Sequence, residues 1–231
     1  MKIFRMILLT NYFFASLAGD GYGAGGGDNT GSNRNTIDFE IGLGESAHGF
    51  TYTKNGKLLY NRQELSPKIS VNKSEIPKFR LSVSQAKKLA AGIALDSYGK
   101  TILYFIDLEK MSSREIDEGN TAYKAFWSPS GNFLVVLCSY EGERFISINL
   151  ANGKVSAGEF LSPPGSSNIW RIAEMPQWIC NVDRLKTTVK ETCNYYDDTI
   201  CDGDRIIAVK AIEIDAATLR VSIIDKAGKT K

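Results

Sequence analysis

A chain of 231 residues with 43% hydrophobic and 23% charged side chains has the length and composition of one globular domain with a real core or, at most, two small ones. Its 28 basic and 26 acidic side chains leave no excess with which to follow a phosphate backbone, which argues against nucleic acid as a partner. The same balance offers nothing to an anionic membrane surface.

Met1 to Ala18 carries Lys2 and Arg5, then the apolar run Met6 to Leu17 broken only by Thr10 and Asn11, then Ser16-Leu17-Ala18 as a small-x-small signal. This reads as a secretory signal peptide cleaved after Ala18. It is shorter than the roughly 20 apolar residues of a permanent span, and no Cys follows to carry a lipid anchor at that site. Lys2 and Arg5 are its only charges, so 26 basic residues face 26 acidic ones beyond it. The expected product is exported, periplasmic or secreted, without membrane insertion after cleavage. Residues 19–35, dominated by Gly, Asn, Ser and Asp, read as a flexible linker, and residues 36–231 as the folded β domain.

Ile37 to Gly49 alternates apolar and polar residues and turns on glycines, and Phe50 to Tyr60 reads as two short strands about an Asn55-Gly56 turn. Gln63 to Lys78, polar and holding Pro67 and Pro77, reads as a connector with one edge strand. In Ser82 to Leu95 the residues Ala86, Leu89, Ala90, Ile93 and Ala94 fall at helical spacing behind Ser82 or Ser84 as a cap, predicting one inserted amphipathic helix. Thr101 to Leu108 then reads as a buried strand ending in Ile-Asp-Leu.

Ala122 to Val155 is the most explicit stretch. Phe126 and Trp127 close a strand, Ser128-Pro129-Ser130-Gly131 turns, and Phe133 to Leu137 is an apolar run of strand length. Glu141-Gly142 turns again, and Phe145, Ile146 and Ile148 lead to a strand closed by Asn152-Gly153. The phrases W-S-P-S-G and N-L-A-N-G-K-V resemble a blade of the TolB-type β-propeller repeats, with Ser130 in place of the usual Asp, and Asn149 and Asn152 in place of Asp and Thr. Related phrases recur around Ile106 and Ile214, the second step lengthened by a polar, cysteine-bounded excursion at 180–204. The resemblance implies a mainly β fold: an irregular or partial propeller-like array of antiparallel meanders with one inserted helix.

Cys138, Cys180, Cys193 and Cys201 in an exported chain imply up to two disulfides. Cys193 and Cys201 flank a short loop and could close a hairpin, pairing Cys138 with Cys180; the rival reading leaves Cys138 as a free thiol in the core. His48 is the sole histidine, so a Ser-His mechanism would have to use it with Ser46, and the pair lacks a third orienting group. Asp38, Glu40, Glu45 and Asp107 are carboxylates with no spacing that singles them out. Asp197, Asp198, Asp202 and Asp204 flank a Gly and suit a hard cation such as Ca²⁺, outside EF-hand spacing; a solvated loop is the plainer reading, and no cofactor is expected.

Ser162-Pro163-Pro164-Gly165-Ser166-Ser167-Asn168 is a stiffened loop with polar groups at its tip, and Trp170 beside it is a candidate anchor. These features predict a non-enzymatic exported protein that binds a protein partner. More weakly, size, leader and loop resemble periplasmic immunity proteins that block cell-wall amidase effectors of type VI secretion; that resemblance implies a peptidoglycan amidase as partner and places Ser166 and Ser167 in its cleft. The alternatives are a TolB-like scaffold in an envelope complex and a Ca²⁺-assisted hydrolase.

Overall fold

The computed structural model describes residues 36–224 apart from 73, 97–99, 118–120, 141, 166–167 and 193–205. The leader and linker, Cys193, Cys201 and the four aspartates of the acidic run lie outside the described residues.

Nine strands form the first sheet: β1 (Thr36–Gly42), β2 (Ser46–Ala47), β3 (Phe50–Tyr52), β4 (Lys57–Tyr60), β5 (Gln63–Ser70), β6 (Lys78–Ser84), β7 (Leu89–Leu95), β8 (Thr101–Asp107) and β9 (Ser112–Ile116). Their order is β1-β6-β7-β8-β9-β5-β4-β3-β2, with β5 and β9 meeting in parallel at Ser66 and Ser112. The sheet rolls until its ends approach each other: Phe39 of β1 packs on Phe50 of β3 at 6.1 Å between ring centroids. Inside the roll lies one core, with Phe50, Tyr52, Leu58, Phe79 and Ile106 all fully buried.

β10 (Ala122–Trp127), β11 (Phe133–Tyr140), β12 (Gly142–Asn149) and β13 (Val155–Ala157) form the second sheet in sequence order. The third has β14 (Ile169–Ile172), β16 (Arg184–Thr192), β17 (Ile206–Asp215) and β18 (Val221–Ile224) in that order, with β15 (Gln177–Trp178) also on β16. Because side chains alternate across a strand, each sheet has two faces to cover. Leu134 and Val136 of β11 pack against Ala91, Ile93 and Leu103 of the first sheet. Val135 and Leu137 face the other way, against Trp170, Leu185 and Ile212 of the third. This sheet-on-sheet succession is the irregular propeller-like array that the blade phrases imply.

The recurring phrase marks the third strand of each meander, ending at Asp107 of β8, Asn149 of β12 and Asp215 of β17. In each case the side-chain Oδ1 accepts from the two backbone N–H groups that follow: Glu109 and Lys110 at 3.1 and 2.9 Å, Ala151 and Asn152 at 2.9 and 3.4 Å, Ala217 and Thr218 at 3.1 and 2.9 Å. These are Asx turns, in which a short polar side chain substitutes for a backbone acceptor. Four residues on, the chain takes a left-handed conformation at Met111, Gly153 and Leu219, with φ of 52°, 71° and 56°. Only the second is glycine, the residue for which that region carries no steric cost.

The helix expected over Ser82 to Leu95 does not form. Ser84 ends β6, residues 85–88 turn, and Leu89 begins β7. Its residues sort with period two: Ala90 and Ala94 enter the core of the rolled sheet, Ala91 and Ile93 the core shared with the second sheet. A strand buried on both faces is apolar throughout, so positions at helical spacing are apolar too, and periodicity cannot separate the two. The excursion at 180–204 is also corrected, because Arg184–Thr192 is the central strand β16. There Leu185, Thr187, Val189 and Glu191 point inward and Arg184, Lys186 and Lys190 outward.

Cys138 and Cys180 are not bridged: Cys138 is a buried thiol and Cys180 an exposed one. Cys138 lies among Ala122, Leu134 and Ile146. Burial pushes its thiol up to about 11, against smaller lowering influences from Arg144 and Thr121, which keeps it protonated and unreactive.

Candidate protein-binding surface

His48 belongs to a hairpin turn rather than to a catalytic pair. With φ of 49° at His48 and 85° at Gly49, the two residues join β2 to β3, and His is among the few non-glycine types enriched in that backbone region. Its ring lies 4.6 Å from that of Phe39. The Ser46 hydroxyl is hydrogen-bonded to Thr51 Oγ1 at 2.8 Å, not to the imidazole. His48 borders a hollow of about 190 Å³ floored by Ile37, Val83 and Leu108, with Tyr60 and Lys88 on its walls. Among the described residues no carboxylate lines the hollow to orient the imidazole as a general base needs.

The four candidate carboxylates Asp38, Glu40, Glu45 and Asp107 are engaged in structural contacts. Asp38 accepts from Ser82 Oγ at 2.6 Å and Lys124 Nζ at 2.5 Å. Glu40 pairs with Lys78 and Arg80 at 2.7 and 2.5 Å, Glu45 accepts from the Gly42 N–H at 2.6 Å, and Asp107 caps its turn. Among the described residues no group of three His, Cys, Asp or Glu is placed to hold a metal ion.

The loop after β13 divides. Ser162 and Gly165 are exposed, whereas Ser166 and Ser167 lie outside the described residues. Asn168 turns its amide to Glu191, donating from Nδ2 to Oε1 at 2.9 Å, and Lys210 Nζ reaches the other carboxylate oxygen at 3.0 Å. Burial raises the Glu191 pKa, but the Asn168 amide and the Lys210 ammonium outweigh it and hold the carboxyl below its ordinary value. Trp170 is 2% exposed, with Lys210 Nζ 5.8 Å from its ring centroid. Its indole N–H, buried without a partner at hydrogen-bond distance, faces the same carboxylate. The expected anchor is therefore a core residue of the third sheet. An aromatic flanked by a polar loop reads from sequence as exposed; the pairing of β14 with β16 turns it inward.

Sequence reasoning missed the surface that stands out here. Ile206, Ile207 and Val209 of β17 are 48%, 49% and 60% exposed. They sit together on β17, which pairs with β16 along one side and, among the described residues, with β18 over Ala211 to Ile214 on the other. On the outer face the register aligns Arg171 of β14, Lys190 of β16 and Val209 of β17 in a row. Lys190 and Lys186 are exposed and have no ion-pair partner among the described residues. The available signal was the phrase I-I-A-V-K, whose unbroken apolar run reads equally well as a buried strand.

No family model matches the chain, and no curated protein matches it. Among solved structures it is similar to a Pyrococcus horikoshii acylaminoacyl peptidase, with a TM-score of 0.39 and 15% identity over 58% of this chain and 22% of the peptidase. It is similar as well to a protein assigned as TolB from Agrobacterium tumefaciens, with a TM-score of 0.38 and 15% identity over 72% of this chain and 55% of that one. The chain spans less than two thirds of either protein, and at these identities the likeness concerns the fold alone.

The comparison corrects the non-enzymatic expectation. One of the matching structures is a hydrolase, and the likeness assigns no activity to this chain. The resemblance to immunity proteins has no counterpart in these matches.

Proposed function

We propose that this is an exported, TolB-like propeller scaffold that holds a protein partner in the cell envelope, periplasmic or secreted. The observation that carries the reading is the exposure of Ile206, Ile207 and Val209 on one half-strand. Scattered apolar residues on a surface are ordinary, but adjacent large ones on one strand mark an interaction site or an aggregation hazard. Export rests on the leader Met1 to Ala18.

The test is affinity capture from an envelope extract with the wild-type chain and with the Ile207→Lys/Val209→Lys variant. A partner retained by the wild type and lost by a variant that melts normally is the expected result. Equal capture by both proteins, or capture of nothing by either, would reject the reading. The narrower version, an immunity protein that plugs an amidase, has less support, because Asn168 and Trp170 of its loop are turned toward Glu191.

A further inference from the structure

We propose that the hollow at the end of the rolled first sheet binds a small carboxylic acid with a compact apolar body. The inference is independent of the scaffold reading above, which concerns β17 and not the first sheet.

The hollow lies where the two outermost strands of the rolled sheet, β1 and β2, approach each other without pairing among the described residues. Ile37 and Val83, paired across β1 and β6, make an apolar floor with Leu108. His48 and Tyr60 stand on the other side, each braced by an aromatic neighbour: His48 by Phe39 at 4.6 Å and Tyr60 by Phe50 at 4.9 Å between ring centroids. Gln85 and Lys88, from the turn between β6 and β7, complete the rim. A volume of about 190 Å³ equals that of about six waters in the liquid, room for one ring or a short branched chain. The mouths of barrel-like sheets are common sites for small ligands.

The backbone supplies an independent sign. Of the seven non-glycine residues with positive φ among those described, four adjoin this hollow: His48 at 49°, Asn61 at 48°, Arg62 at 64° and Lys88 at 51°. Asn and His take that region more readily than Lys and Arg do. Such strain persists only where the surroundings over-determine it, and it concentrates at ligand-holding sites. Lys88 is fixed on both sides, its N–H donating to the Gln85 carbonyl at 3.3 Å and its own carbonyl accepting from the Leu108 N–H at 2.9 Å.

The rim decides the chemistry of the ligand. The side chains of His48, Tyr60 and Gln85 make no hydrogen bond among the described residues, which leaves an imidazole N–H, a hydroxyl and an amide as donors. Lys88 adds a cation. Its pair with Glu109 is 3.2 Å long with the two side chains 64% and 72% exposed, and exposed pairs contribute little, so the ammonium is free to turn to an anion. A carboxylate accepts from several such donors at once while its apolar body covers Ile37, Val83 and Leu108. An amine of the same shape meets the Lys88 charge instead.

The probe is phenylacetate, with 2-phenylethylamine and 2-phenylethanol as cationic and neutral controls. His48 is the sole histidine, so its imidazole C–H resonances in the nuclear magnetic resonance spectrum report on this hollow alone. Phenylacetate should shift them saturably, with a dissociation constant on the order of 1 mM. Lys88→Gln/Tyr60→Phe should weaken binding about ten-fold with a melting temperature close to that of the wild type, since neither polar end carries a buried bond of the fold. Any of four results would overturn the inference: no saturable shift with phenylacetate, equal binding of either control, equal binding by the double variant, or binding that appears only once residues 1–35 are removed. The last would make the hollow a docking place for the chain's own N-terminal segment.

Discussion

At the scale of single residues, the chemistry is governed by what surrounds each titratable group. Glu143, half-buried where β12 approaches β14, accepts a hydrogen bond from the Ile172 N–H. Burial pushes its carboxyl above the ordinary value of 4.5, only partly offset by that bond and by the Arg171 charge. The native chain therefore holds this proton more tightly than the unfolded chain does. The stability this contributes is fully present below pH 4.5 and is lost as pH rises through the raised native value. Glu143→Gln keeps an acceptor for Ile172 and cannot ionise, so it should gain stability relative to the wild type as pH rises from about 4 to about 7. Urea titrations across that range are the measurement, and a pH-independent difference would show that Glu143 titrates normally. Glu191 runs the other way: its stabilisation is present above the ordinary carboxylate range and is lost as pH falls through its lowered native value.

At the scale of elements, the recurring unit is a strand closed by an Asx turn, and the repeat is explained by hydrogen-bond accounting. Without the Oδ1 of Asp107, Asn149 or Asp215, two backbone N–H groups at each turn would rely on water. Asp215 also accepts from the Thr218 hydroxyl at 2.8 Å. Asp215→Ala should cost about 1–2 kcal/mol, the range for losing a side-chain cap of this kind, while Asp215→Asn should recover most of the loss by keeping the acceptor. Equilibrium denaturation distinguishes the two; equal losses would mean that the carboxylate charge, not the turn, matters. The same element explains why glycine is dispensable at two of the three turns. Met111 and Leu219 take the left-handed conformation because the Asx hydrogen bonds and packing around them, including burial of Leu219 against the third sheet's core, outweigh a modest backbone cost.

At the scale of the whole molecule, stability depends on how one sheet meets the next. Trp127 is buried between the first and second sheets, and its Nε1–H donates to Ser82 Oγ at 3.0 Å, which in turn donates to Asp38 at 2.6 Å. Lys124 closes this chain of contacts onto Asp38 from β10. Ser147 Oγ donates to the Ala216 carbonyl at 2.5 Å between the second and third sheets. Trp127→Ala should lose about 3–5 kcal/mol by emptying the first of these junctions, and Trp127→Phe about 1 kcal/mol through the lost donor. Coincident fluorescence and far-ultraviolet circular dichroism transitions in both variants would show that the sheets still unfold as one; a split transition in Trp127→Ala would locate the coupling at this residue.

Much of the architecture follows from local sequence. The turn Ser128 to Gly131, the run Phe133 to Leu137 and the three Asx phrases each depend on neighbours a few residues away, so strands and turns there are legible without a structure. The segments that were misread are those whose state is set by distant cover. Leu89 to Leu95 is a strand because sheets bury both of its faces, Arg184 to Thr192 is a central strand although its outward half is polar, and Trp170 is inward because β14 pairs with β16. Cys138 and Cys180 have residue types that permit a bridge, but placement in a core and at a surface separates them. The candidate surface was illegible for the same reason. Ile206 to Val209 reads as core in the sequence, and the exposure of Ile206, Ile207 and Val209 follows from their surroundings, not from their residue types. Sequence alone determined the strand-and-turn alphabet of this protein, since backbone hydrogen bonding and side-chain alternation are local. Tertiary structure decided which strands are covered and which side chains stay exposed, since burial is a property of what packs alongside.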